Sequence, residues 1–176
     1  MVWLSTPTLF RLRDQLQAHG QRPSVVLPNQ NLSPDALEFI QVTTQYGTLC
    51  EAMYIMMAAD GRVSQEERDV LKGALRSLSD DSVRGVHIEA MLDAAAKKIA
   101  NEGREKRMAA IVSELSEDST LSEVAFVLMA AIAFADNVIE DEENEVLNEL
   151  AEGLGIDEER ANMLLDQVEQ EQDAAS

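Results

Sequence analysis

Ala59-Asp60-Gly61-Arg62-Val63-Ser64-Gln65-Glu66-Glu67 decides the reading of this sequence. Shifted by 76 residues, it falls without a gap on Ala135-Asp136-Asn137-Val138-Ile139-Glu140-Asp141-Glu142-Glu143. The same shift lays Val70-Leu71 on Val146-Leu147 and Met53 on Met129. The changes conserve physical roles. Gly61 becomes Asn137, the other residue that accepts a left-handed backbone, and Val63 becomes Ile139. In the first copy Asp60-Gly61 closes one helix, and Ser64 with Glu67 forms a capping box that opens the next. The chain is therefore expected to contain two diverged copies of one helix–acidic turn–helix unit, at about 45–80 and about 121–156. Copies of a duplicated unit usually sit about a pseudo-two-fold axis, an arrangement that would bring the two turns near each other.

Working outward, helical punctuation recurs along the whole chain. Ser5-Thr6-Pro7 starts a helix that carries Leu9, Leu12 and Leu16 on one face and stops at Gly20. Residues 21–33, with Pro23 and Pro28, read as a loop. Ser33-Pro34 opens a helix to about Ala59, with Gly47 a point where it would break or bend. Val70, Leu71, Ala74, Leu75 and Leu78 follow at helical spacing, and Ser79 to Ser82 is a polar turn. Helices are expected at roughly 86–102 and 104–116. Thr120 or Ser122 should cap an apolar helix through Ala135. Another helix runs from about Glu140 to Leu154, closed by Gly155. Asp157 caps a last helix that frays into an acidic tail at 168–176. No period-2 stretch calls for a sheet. The fold class is all-α, a compact bundle of about seven or eight helices, with residues 1–32 as an N-terminal helix and loop and 33–176 as the main domain.

Composition agrees. Apolar residues make up 45% of the chain and aromatics 4%, so the core must be aliphatic, as helix packing favours. Fourteen basic residues against 33 acidic ones give a net charge of −19. Such a surface repels nucleic acid and anionic lipid and attracts cations and basic partners. From Asp136 onward there are fifteen acids and one base, Arg160, whereas residues 1–30 carry Arg11, Arg13 and Arg22 against Asp14. Docking of the N-terminal segment on the acidic C-terminal half is expected from that asymmetry. Cys50 is the only cysteine, so a disulfide framework and a thiolate zinc site are excluded. No apolar run reaches the length of a membrane span, and the first residues lack a secretory pattern, so a cytoplasmic setting is expected.

The turns are candidate cation sites. Asp60-Gly61-x-Val63-Ser64-x-x-Glu67 matches the second half of an EF-hand loop. The first half fails, because Met56 and Ala58 in one copy, and Ile132 and Phe134 in the other, stand where oxygen ligands belong. Two facing turns would instead pool Asp60, Glu67, Asp136 and Glu143, flanked by Ser64, Glu66, Glu140 and Glu142. An all-oxygen set suits Ca²⁺, Mg²⁺ or Mn²⁺. The competing reading makes these residues helix caps and dipole partners that need no ion.

An apolar helix ending Ala-Asp-Gly, then an aliphatic, then Glu-Glu opening an amphipathic helix resembles the TerB-like family. That family comprises the tellurite-resistance TerB proteins and the N-terminal domain of DjlA-type co-chaperones. Met56 to Leu78 carries the resemblance, Ala130 to Leu154 echoes it, and Gly155-Ile156-Asp157-Glu158-Glu159 is similar to the family's closing turn. The resemblance covers about 45–170. It implies an all-helical, non-enzymatic module of metal or general stress response, with an acidic metal-binding surface and membrane-associated stress proteins among its partners. Asn137 departs from the family glycine, and no His-Pro-Asp tripeptide exists to support J-domain activity.

Other chemistry is weak. Neither His19 nor His87 forms Glu-x-x-His, so a di-iron bundle is not supported. No phosphate loop or nucleophile elbow occurs. Cys50, Met53 and Met57 share a helical face that reads as core filler rather than a soft-metal cluster. Lys97, Lys98 and Arg104 to Arg107 read as a solvated basic face.

Overall fold

The structure, a computed structural model, describes residues 4–20, 31–135 and 139–175. Among these, all regular structure is helical: α1 (Thr6–His19), α2 (Pro34–Met57), α3 (Gln65–Leu78), α4 (Gly85–Glu102), α5 (Arg104–Leu115), α6 (Ser119–Ala133), α7 (Asp141–Leu154) and α8 (Glu158–Ala175).

The 76-residue shift reappears in the helix boundaries. Met57 ends α2 and Ala133 ends α6, while α3 and α7 superpose end on end. Their buried faces correspond as well: Leu71, Ala74, Leu75 and Leu78 of α3 answer to Leu147, Leu150, Ala151 and Leu154 of α7. Each copy thus packs one amphipathic helix on the apolar helix before it, and α2 and α6 pack on each other. The core forms around that central pair. α6 is apolar on every side, the pattern of a fully enclosed helix, and is buried almost throughout from Leu121 to Ala133. It is covered by α1, α2, α5, α7 and α8. α7 approaches α5 closely enough that a Cβ on Gly153 would lie 2.8 Å from the Val112 side chain.

Gly47 does not break α2; the helix runs through it, and the missing side chain leaves room for the Thr43 methyl group, which a Cβ would meet at 3.0 Å. α6 is capped by neither Thr120 nor Ser122. Asp118 Oδ1 accepts from Leu121 N at 3.1 Å, while Ser122 lies inside the helix and donates to the Leu115 carbonyl at 2.8 Å. The second oxygen of Asp118 meets His19 Nε2 at 2.7 Å, so the end of α1 is held at the start of α6. The basic stretch is not wholly solvated either. Arg107 turns inward from α5 and pairs with Glu51, a carboxylate buried within the apolar half of α2.

α1 rests on α3, α6 and α8. Leu12 is fully buried there, and Arg11 donates through Nε and a terminal nitrogen to one oxygen of Glu171, at 3.0 and 2.8 Å. Ser5 Oγ caps α1 and also donates to the Glu171 carbonyl. These contacts explain why the acidic tail does not fray at Glu169: with Val168 and Gln172 buried and Glu171 tied to α1, α8 stays helical to Ala175.

Candidate functional site

The first acidic turn follows α2 directly. Ala58 and Ala59 continue the hydrogen bonding to Tyr54 and Met56, and Gly61 N–H donates to the Ala58 carbonyl. Gly61 has φ +134°, a conformation open to glycine and strained for other residues. Asp60 is exposed on this turn. Beyond it the expected capping box is closed: Ser64 N–H donates to Glu67 Oε2 at 2.7 Å and Glu67 N–H to Ser64 Oγ at 3.2 Å. Glu66 points to solvent.

The second turn repeats the pattern with different chemistry at its cap. Asp136, Asn137 and Val138 lie outside the described residues. Ile139 is half-buried, as Val63 is. Glu140 stands at the cap, and its N–H donates to Glu143 Oε2 at 2.9 Å. Glu67 and Glu143 are half-buried, while Glu140 and Glu142 are exposed. One carboxylate oxygen of Glu67 and one of Glu143 therefore already serve a backbone N–H at a helix start, where the helix dipole favours negative charge.

Ligand atoms converge elsewhere. Among the described residues, the one group of three or more His, Cys, Asp or Glu side chains with ligand atoms within 4.8 Å of one another is Asp35, Glu38 and His87. Asp35 and Glu38 lie on the first turns of α2, and His87 on the first turn of α4, which packs along α2. Arg84, at the cap of α4, bonds Asp35, lies 3.5 Å from Glu38 Oε1 through Nε, and donates to His87 Nε2 at 3.1 Å. His87 is buried and Asp35 exposed. Glu38 also borders a cleft of about 610 Å³ between α1, α2 and the α3–α4 turn, with Gln41, Tyr46 and Ser82 on its walls.

This group is not legible in the sequence as a single site. Its signals are two i, i+3 pairs, Asp35/Glu38 and Arg84/His87, each placing both members on one helix face. Neither pair announces the other, because they meet only through the α2–α4 packing.

Cys50, Met53 and Met57 are core, as their spacing suggests. Cys50 and Met53 are fully buried and Met57 nearly so, all within the core. Burial pushes the Cys50 thiol up to about 12, with the neighbouring Glu51 carboxylate adding to the rise and Arg68 opposing it. A thiol held protonated is neither a ligand nor a nucleophile.

Ionic contacts fasten the helices. Glu89 of α4 pairs with Lys72 and Arg68 of α3, at 2.6 and 2.8 Å, and is held below the ordinary carboxylate range by them. Arg160 of α8 does the same for Glu123 of α6 through two bonds of 2.7 and 2.8 Å.

No curated protein and no solved structure matches the chain. Residues 48–167 match the family described as tellurite resistance protein TerB. The matched segment is about two thirds of the chain and takes in both copies of the acidic turn. With an all-helical bundle built on that duplicated unit, the chain belongs to the TerB family.

Proposed function

We propose that this TerB-family chain is a non-enzymatic module of tellurite- or metal-stress resistance, which takes a divalent cation on its acidic turns and works with other proteins in the cytoplasm. The family match carries the reading, because it spans both turns. Asp60, Glu67, Asp136 and Glu143 are the proposed donors, with Ser64, Glu66, Glu140 and Glu142 flanking. Their oxygens suit Ca²⁺, Mg²⁺ or Mn²⁺. The net charge of −19 favours partners with basic surfaces, among them membrane-associated stress-response proteins.

The closed capping contacts of Glu67 and Glu143 favour a second reading, an interaction adaptor whose acidic turns only start helices. Thermal melting of chelator-treated protein separates the two, with Ca²⁺, Mg²⁺ or Mn²⁺ added back. An ion at a hundred times its dissociation constant stabilises by roughly 2.7 kcal/mol. The response should vanish in an Asp60→Ala/Asp136→Ala double variant. If none of the three ions moves the melt, the adaptor reading stands.

A further inference from the structure

The starts of α2 and α4, at Pro34 and Gly85, bring an imidazole and two carboxylates to one point. The His87 side chain is 4% exposed, and its ring packs at a tilt on Phe39 with centroids 5.5 Å apart. Nε2 lies 3.6 Å from Asp35 Oδ1, and Nδ1 lies 3.9 Å from Glu38 Oε1. Nδ1 makes no hydrogen bond. Because Nε2 accepts from Arg84, Nδ1 carries the proton of the neutral ring, and Nε2 is the nitrogen with a lone pair to give an ion.

The Arg84 guanidinium stands where the three ligands converge. A guanidinium only donates, so His87 Nε2 turns its lone pair toward Arg84. A single positive charge thus faces two negative ones and an imidazole lone pair. The Arg84 side chain is 50% exposed, and it has open solvent to swing into.

We propose that Asp35, Glu38 and His87 form a site for a transition-metal ion of the Zn²⁺ type, and that Arg84 holds the place of the ion until one binds. One imidazole nitrogen with two carboxylate oxygens suits Zn²⁺ better than Ca²⁺ or Mg²⁺, which favour oxygen alone. Ligands about 2.1 Å from a tetrahedral ion lie about 3.4 Å apart, close to the 3.6 Å between His87 Nε2 and Asp35 Oδ1. Asp35 is exposed and Arg84 half-exposed, so the group is open to an ion from solvent. Asp35 and Glu38 precede the family-matched segment, so the site stands independently of the acidic turns.

The test uses the full chelator-treated chain titrated with Zn²⁺ by calorimetry, with the imidazole C–H resonances followed by NMR. The chain has two histidines, so a His19→Gln background leaves His87 alone in the spectrum. Zn²⁺ should shift the His87 resonance, and Asp35→Asn or Glu38→Gln should weaken that binding by at least about tenfold. Arg84→Gln should tighten it severalfold, because the competing cation is gone. His87→Gln should abolish it, and if that buried change prevents folding, the Asp35 and Glu38 variants on the exposed rim carry the test. Asp60→Ala/Asp136→Ala should leave Zn²⁺ binding intact, so a parent chain whose melt Ca²⁺, Mg²⁺ and Mn²⁺ do not move counts against the proposed function and not against this site. An unmoved His87 resonance, carboxylate variants that bind like the parent, or Arg84→Gln binding no tighter would each overturn the inference.

Discussion

Arg107 donates to both oxygens of Glu51, through Nε at 2.5 Å and through a terminal nitrogen at 3.0 Å, and so ties α5 to the buried stretch of α2. The Glu51 side chain is only 6% exposed, with the Lys98 ammonium 4.0 Å away as its other cation. Removing Arg107 strands a buried carboxylate. Arg107→Met should cost about 3–5 kcal/mol in chemical denaturation. Glu51→Gln should cost less, because Arg107 keeps Glu102 at 3.3 Å. A double variant should recover part of the Arg107→Met loss. Equal single losses that add in the double variant would contradict the account.

Glu123 supplies the pH dependence. Arg160 holds its carboxyl below the usual 4.5. A carboxylate with a depressed folded-state pKa adds stability above its unfolded pKa and loses it as pH falls through the folded value. The gap between the parent and Glu123→Gln should therefore be full at pH 6 to 7, about 0.2–1 kcal/mol for a partly exposed pair. It should shrink below pH 4.5 and close in stronger acid. A gap that widens toward acid would refute it.

The two capping boxes differ at one position, where Ser64 answers to Glu140. Serine is a favoured cap, and Glu140 adds a charge to the run through Glu143. Glu140→Ser should stabilise the chain by about 0.5–1 kcal/mol, with an unchanged denaturant slope. Ser64→Ala should destabilise it by about 1 kcal/mol. If Glu140→Ser destabilises instead, Glu140 has a role beyond the cap.

Cys50, with its thiol raised to about 12, should resist aromatic disulfide reagents at pH 8 in the folded chain. Only about one thiol in ten thousand is ionised there, and burial blocks access to it. Labelling should follow the opening rate and become fast in denaturant. Rapid stoichiometric labelling of the native protein would remove Cys50 from the core.

The duplicated unit was legible because each copy states its own boundaries. Gly61, Ser64 and Glu67 act within a few residues of one another, and Val70 through Leu78 reveals a buried face by spacing alone. What escaped depends on contacts between helices. Glu51 is a lone acid within Leu49-Cys50-Glu51-Ala52-Met53, a buried run that is otherwise apolar, and its partner lies 56 residues away on α5. Asp118 won the cap of α6 over Thr120 and Ser122, although all three carry suitable oxygens, and its contact with His19 of α1 is another that spacing does not show. Asp35, Glu38 and His87 were hidden for the same reason. Local chemistry writes caps and faces into a sequence, whereas convergence is written only by packing.

The bond from Ser5 to the Glu171 carbonyl spans 166 positions of the chain. During synthesis α1 leaves the ribosome well before α8, which forms part of its seat. Until then the nascent protein carries Leu9 and Leu12 without their full cover. α1 is made long before it is fully fastened, and a stalled or truncated product lacking α8 offers that apolar strip to chaperones and proteases.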